Sequence, residues 1–414
     1  MKHLVRPFAA LRPRRETAQA VIAPPYDVVD TDEARALANG RQQSFLHISR
    51  PEVDLPPGTD PHGDAVYAKG AANLKALIEH SVLEREGKAC YYVYRMTAGR
   101  HTQTGLAGVA SIEAYESSRI HRHELTRPDK ENDRVRNIEA LNAQTGPVML
   151  AYKDDARVGA MLEEAAAKPA LLEAVGQHEV VHAIWRIERD SQIDALTRAI
   201  DALGDLYIAD GHHRSAAAAR VAENRRRARA GRDRSHDYFL SVAFPDDEMQ
   251  IFDYNRVVTD LNGLTVADFI EAVAEAFEAA PYGGRAKPEQ PATYGMYVGG
   301  RWYRLTPRSA PAGDDPVARL DISRLQQTLL APILGIGDAR IDDRIAFVGG
   351  VRGLEALERR VDSGEAAVAF ALYPTKMREL MAVADAGLLM PPKSTWFEPK
   401  LADGLLSHVL DDNW

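Results

Sequence analysis

The chain has 414 residues, 45% hydrophobic and 27% charged, with a net charge of −9 and one cysteine. That length exceeds one ordinary core and predicts two domains, while the composition excludes a disordered polymer and the lone Cys90 excludes an internal disulfide or a thiolate metal cluster. The acidic balance argues against general nucleic-acid binding, which depends on neutralising phosphates, and no window of about eighteen uncharged apolar residues predicts a membrane span.

In chain order, the N-terminal "MKHLVRPFAALRPRR" lacks a signal-peptide core, so a cytoplasmic protein is expected. Strand-like runs follow at "AVIAPP", "SFLHIS", "ACYYVYRM", "TGLAGVASI", "VVHAIWRI", "LYIADG" and "YFLSVAF". They alternate with helical patterns at "DTDEARALANG", "YAKGAANLKALIEHSVL", "PDKENDRVRNIEALNA" and "QIDALTRAIDALG". The basic run "RRRARAGRDR", Arg225 to Arg234, reads as a solvated helix end rather than a nucleic-acid patch.

The turn-like "PDDEMQIFDYNRVVTDLNG" then leads to an amphipathic helix at "TVADFIEAVAEAFEAA". Gly299-Gly300 between two aromatic-rich runs predicts a β-hairpin. A loop at "PRSAPAGDDP", helices at "DISRLQQTLLAPIL" and "GLEALERRVDSG", and strands at "DRIAFVGG" and "AAVAFALYP" complete the pattern. The expected fold is α/β (mixed α+β), with a first domain over 1–260 and a smaller α+β domain over 261–414.

Four stretches carry candidate chemistry. In "LYIADGHHRSAAAAR" an apolar strand passes through Asp210, Gly211, His212, His213 and Arg214 directly into a helix at Ser215. Gly211 permits the sharp turn, and the backbone amides that start the helix suit an anion. Arg214 adds a fork-shaped donor, His212 and His213 can donate or shuttle a proton, and Asp210 can hold Mg²⁺ or accept from a hydroxyl.

In "HRHELTRPDKENDRVR" the Thr126-Arg127-Pro128-Asp129 spacing predicts a helix start of capping-box type. Lys130 and Arg134 then lie one turn apart, with His123 and Glu124 in the loop before them. A solvated charged helix is the plain alternative. In "VIAPPYDVVD" two prolines stiffen the turn that carries Asp27, a candidate ligand or base, whereas Asp30 reads as a helix cap. In "MPPKSTWFEPK" the glycines of a P-loop are missing, which leaves Lys393 on a strap that reaches a ligand. His121, His123, His212 and His213 can supply zinc ligands, but only through tertiary proximity, because no zinc-type spacing links them.

Together "APPYDVV", "SFLHISRPE", "HELTRPDKENDR", "LYIADGHHR" and "MPPKSTWFEPK" resemble the domain-of-unknown-function 1015 family over nearly the whole chain. That family is similar to the ParB/sulfiredoxin-like superfamily, which includes the ParB-like free-serine kinases. The resemblance implies a ParB/sulfiredoxin-like first domain in which Gly211 and Arg214 match a phosphate-contacting G-x-x-R turn, extended by Ala217. The kinases' Asp-Gly-x-His-Arg turn is matched by Asp210, Gly211, His213 and Arg214, and their glutamate base by either Glu124 or Asp27.

The implied function is a phosphotransferase acting on free serine, O-phosphoserine or a similar small hydroxy acid, with ADP or ATP and Mg²⁺. On that reading Gly211, Arg214, Ser215, Lys130, Arg134, His123 and Lys393 bind phosphate or nucleotide, and Asp210, His212, His213 and Glu124 or Asp27 do the chemistry. The partners are then a small substrate and a nucleotide, without nucleic acid or membrane, and a homodimer is compatible. The alternatives are a non-catalytic ParB-like nucleotide-binding regulator and a metal-dependent hydrolase. No helix-turn-helix pair follows the turn, which argues against DNA partition.

Overall fold

Residues 3–228, 233–309 and 313–411 are described by a computed structural model of the chain. The fold is mixed α/β and divides into two units, Met1–Met249 with Pro399–Trp414, and Gln250–Glu398.

In the first unit nine strands form one sheet: β1 (Val5–Arg6), β2 (Tyr91–Ala98), β3 (His101–Ser111), β4 (Ile120–His121), β5 (Val148–Tyr152), β6 (Leu172–Val175), β7 (Val181–Ile187), β8 (Leu206–Asp210) and β9 (Tyr238–Pro245). The order is β4-β8-β5-β9-β3-β2-β7-β6, with β1 on β3. The pairs β4–β8 and β5–β9 are parallel and the others antiparallel. β5 and β9 are buried at every position, which explains why their sequences are continuous apolar runs rather than alternating ones.

The helices of this unit include α1 (Thr31–Ala38), α2 (Asp64–Glu79), α3 (Pro128–Leu141), α4 (Ala156–Ala166), α5 (Asp190–Asp201) and α6 (His212–Ala228). Val158 and Leu162 of α4, Leu196 and Ile200 of α5 and Ala218 and Ala222 of α6 pack with the sheet in one apolar core. A second core joins α1, α2 and the C-terminal end of α3 through Ala34, Leu74 and Leu141. As expected, Asp30 caps α1 with reciprocal bonds to Glu33; Cys90 is buried.

In the second unit, β10 (Tyr254–Val258), β11 (Phe277–Tyr282), β12 (Tyr294–Val298), β13 (Arg301–Pro307), β14 (Ile345–Gly349) and β15 (Val368–Ala371) form an antiparallel sheet in the order β11-β13-β12-β15-β10-β14. The Gly299-Gly300 hairpin forms as expected, with φ of 57° and 74°, the geometry of a tight two-residue connection. Among the described residues no helix is long and apolar enough to cross a membrane.

Several expected elements differ. "SFLHIS" is a one-turn helix, Leu46–Ser49, because Phe45, Leu46 and Ile48 are all buried in the same core. A strand would send Phe45 and Leu46 to opposite faces. "AVIAPP" is the end of a short helix, Ala18–Val21, followed by a single bridge from Ala23 to Asp403. The helix expected through residue 280 stops at Ala276, where Phe277 turns its buried ring into β11. The stretch read as turn-like contains Gln250–Phe252 and β10, disguised by the buried Arg256 at a central strand position.

The C-terminal segment does not belong wholly to the second unit. Residues 399–411 return to the first, where His408-Val409 pairs with Ala143-Gln144 and Leu405 and Leu406 are buried. In the basic run, Arg225 to Arg227 finish α6 with partners at Leu410 and Asn142, Asp237 and Glu116, and Glu223, as a helix end should. Residues 229–232 of that run, and 310–312 of the expected loop, lie outside the described residues.

Candidate functional site

The site is built where β8 ends. Its register on β5 slips between Ile208 and Asp210, a bulge that re-aims the Asp210 side chain. Gly211 follows with φ 101°, a conformation that disfavours any side chain, and α6 begins at His212. An added Cβ at Gly211 would lie 3.0 Å from Arg214 Nε, because that side chain folds back over the turn. One Arg214 branch donates to Asp210 Oδ2 at 2.8 Å and the other to the Pro147 carbonyl. Lys400 Nζ stands 3.5 Å from Asp210 Oδ1.

Burial works to raise the Asp210 carboxyl, but the charges of Lys400 and Arg214 outweigh it and hold the group ionised well below the ordinary range. Two cations therefore already satisfy both oxygens. The expectation that Asp210 holds Mg²⁺ does not fit, since a third cation there meets repulsion without a free carboxylate edge.

Other expected ligands are committed elsewhere. Ser215 is fully buried and its hydroxyl donates to the His212 carbonyl at 3.0 Å, so it does not face a ligand. His213 Nε2 accepts the backbone N–H of Arg127 at 3.0 Å, which ties the start of α3 to the start of α6. The helix begins at Pro128 as expected, but its cap is Arg127 rather than Thr126, whose hydroxyl donates to Glu131 instead. Lys130 is exposed, whereas Arg134 turns inward, forked onto Asp133 at 2.6 and 2.9 Å and lying over the Tyr26 ring at 3.8 Å. They do not form one basic stripe, because Asp133, fixed by Tyr67 at 2.6 Å and His62 at 3.0 Å, draws Arg134 away.

Asp27 is exposed on its Pro-Pro turn, close enough for its charge to act on Arg214 and Asp403. Asp403 is buried, and burial, with Arg214 opposing, pushes its carboxyl up to about 7. A space of about 30 Å³ adjoins it, lined among others by Tyr26, Arg134, Gly146, Arg214 and Asp403. That volume suits a water rather than a nucleotide.

Lys400 and Asp403 escaped sequence reading. A signal was present: Ala402-Asp403-Gly404 repeats Ala209-Asp210-Gly211, and Gly404 also has positive φ, 92°. Lys393, the lysine singled out instead, belongs to the second unit, where its carbonyl accepts from Arg256 at 2.9 Å and its ammonium lies 5.9 Å from the Tyr254 ring centre.

Beside the turn, His123 and His212 meet edge to face with ring centres 4.5 Å apart. His212 Nδ1 lies 3.8 Å from Glu124 Oε2. Burial depresses His123 to about 4 and holds His212 well below its ordinary value, so both rings are neutral at pH 7. Of the other histidines considered for zinc, His121 pairs with Asp205 at 3.1 Å and stacks on Tyr207, and His213 is placed as above.

Among known families, the one described as "Protein of unknown function (DUF1015)" matches residues 5–323. No curated protein matches. Among solved structures the chain is similar to a free serine kinase in complex with AMP, at 12% identity and a TM-score of 0.35 over 70% of this chain and 86% of that one. It is also similar to SbnI with C-terminal truncation from Staphylococcus aureus, at 10% identity and a TM-score of 0.36 over 72% and 85%. A conserved hypothetical protein from Pyrococcus furiosus gives 14% identity and a TM-score of 0.35 over 72% and 94%.

Proposed function

We propose that this chain, which belongs to the DUF1015 family, is a phosphotransferase acting on free serine, O-phosphoserine or a similar small hydroxy acid, with ADP or ATP as phosphate partner. On this reading the first unit is a ParB/sulfiredoxin-like phosphate-binding domain. The observation that carries it is the turn itself: a carboxylate kept ionised between Arg214 and Lys400, set at the start of a helix and next to a carboxylate–imidazole pair. Phosphoryl transfer asks for this combination, since it is driven by positioning and charge neutralisation more than by covalent chemistry.

The roles follow from placement. The first amides of α6 have no intrahelical acceptor and bind phosphate oxygens. Asp210, held by Arg214 and Lys400, orders the turn that presents those amides. Arg214 is a positioning residue that fixes Asp210. Glu124, whose side chain is 39% exposed, is the base, with Asp27 as the other candidate; Lys130 offers an exposed cation to the remaining charge. The hydroxyl oxygen attacks phosphorus, its proton passes to the carboxylate, and the bond from phosphorus to the donor oxygen breaks. The reverse direction uses the same groups.

The test is incubation of the folded protein with serine and ATP, serine and ADP, and O-phosphoserine and ADP. Release or consumption of O-phosphoserine in any pairing, lost in Asp210→Asn, supports the proposal. Absence of turnover in all three overturns it.

A further inference from the structure

We infer that His123, Glu124 and His212 form a binding site for one divalent transition-metal ion. Among the described residues these three each offer a ligand atom, and the atoms lie within 4.8 Å of one another. A metal held by bonds of about 2.1 Å at tetrahedral angles needs ligand atoms about 3.4 Å apart. The His212–Glu124 separation of 3.8 Å is within a small side-chain rotation of that value.

Burial gives the independent observation. His123 is 2% exposed and only the Ile208 carbonyl faces its ring nitrogens; His212 is 6% exposed, and its Nε2, opposite the Nδ1 that faces Glu124, has no hydrogen-bond partner. Leaving a buried polar atom unpaired costs its full desolvation. Two such rings packed against each other beside a carboxylate are a poor use of a core position unless something binds there.

The surrounding charges permit a dication. Arg214 and Lys400 both face Asp210, and the two carboxylates Asp210 and Glu124 together balance those two cations. The donor set of two imidazoles and one carboxylate selects zinc, manganese, iron or cobalt over Mg²⁺, which prefers oxygen ligands. Three protein ligands leave coordination positions open, and Glu124, as the partly exposed member, places them toward solvent. The site is distinct from Asp210 but shares Glu124 with the phosphotransferase proposal, so an occupied site leaves Asp27 as the base; an ion bound there can polarise a phosphoryl or acyl oxygen or a water.

The experiment uses the full chain without a purification tag, freed of metal with a chelator. Co²⁺ is titrated while the visible d–d absorption is followed, and Zn²⁺ binding is measured by calorimetry. The expected result is one equivalent of either ion, with affinity falling at least about 100-fold in His212→Ala and at least about 10-fold in Glu124→Gln. Circular dichroism verifies each fold, and the part-exposed Glu124→Gln settles the matter should His212→Ala fail to fold. No stoichiometric binding of either ion, or affinity unchanged in Glu124→Gln, overturns the inference.

Discussion

Arg214 reaches back one helical turn to hold the carboxylate of Asp210 at 2.8 Å, the residue that closes the preceding strand. Its second branch donates to the Pro147 carbonyl, so one buried guanidinium ties α6, β8 and the start of β5 together. A lysine can satisfy one of these acceptors and not both. Arg214→Met leaves a buried carbonyl unpaired and Asp210 with Lys400 alone. Breaking a buried pair costs about 3–5 kcal/mol. The 28% exposure of the Asp210 side chain lowers this toward about 2–3 kcal/mol in urea unfolding, with Arg214→Lys falling between it and the parent. An unchanged urea midpoint in Arg214→Met would contradict this account.

The same fold-back makes Gly211 irreplaceable for two reasons at once. Its φ of 101° disfavours a side chain, and a Cβ would press on Arg214 Nε at 3.0 Å. Gly211→Ala should lose roughly 1–3 kcal/mol and should disturb the Asp210 contact as well. Gly204→Ala is the control, because nothing lies within 4 Å of a Cβ there, and it should stay within about 0.5 kcal/mol of the parent. Equal thermal melts for the two variants would show that the turn is not strained against substitution.

The turn at 210–214 was readable in the sequence because all of its determinants are local: an apolar run, a glycine and a helix-forming segment in direct succession. The sheet strands with β-branched and aromatic runs were readable for the same reason, as was the cap of Asp30 on α1. What the sequence hid depends on contacts far along the chain. Lys400 meets Asp210 only because residues 399–411 return to the first unit. Ser215 and His213 have suitable chemistry, yet the Ser215 hydroxyl donates to the His212 carbonyl and His213 Nε2 accepts the Arg127 amide. "SFLHIS" misled because a short apolar run has no period of its own, and one shared core decided its shape.

Stability should depend on pH in two opposing ways. Burial lowers His182 and His408 to about 4, so the folded state keeps them neutral while the unfolded chain takes protons near 6.5. Their contribution is complete above pH 6.5 and is lost as pH falls toward 4. Asp403 acts in the other sense. Raised to about 7 by burial, it binds its proton more tightly when folded, so it adds stability on acidification from 7 toward 4. Asp403→Asn removes that term alone. The variant should gain on the parent as pH rises from 5 to 8, by more than about 1.4 kcal/mol, the worth of one pKa unit. Urea unfolding of both proteins at the two pH values measures it, and a difference independent of pH would refute the burial of an uncharged Asp403.

His213 offers the sharpest contrast between chemistry and scaffolding. A proton shuttle can be replaced by an apolar side chain with little effect on folding, but His213 accepts the amide of Arg127 at 3.0 Å, one residue before α3 begins. That amide has no acceptor within the helix, and the ring supplies one from the neighbouring helix start. His213→Leu should therefore cost about 0.5–1.5 kcal/mol, the net value of one such bond. His213→Gln, whose side-chain oxygen can still accept, should recover part of the loss. Hydrogen exchange at the Arg127 amide reads the bond directly: it should accelerate in the leucine variant and less so in the glutamine variant. Exchange that is the same in all three proteins would show that the ring does not cap α3, and would return His213 to the candidates for proton transfer.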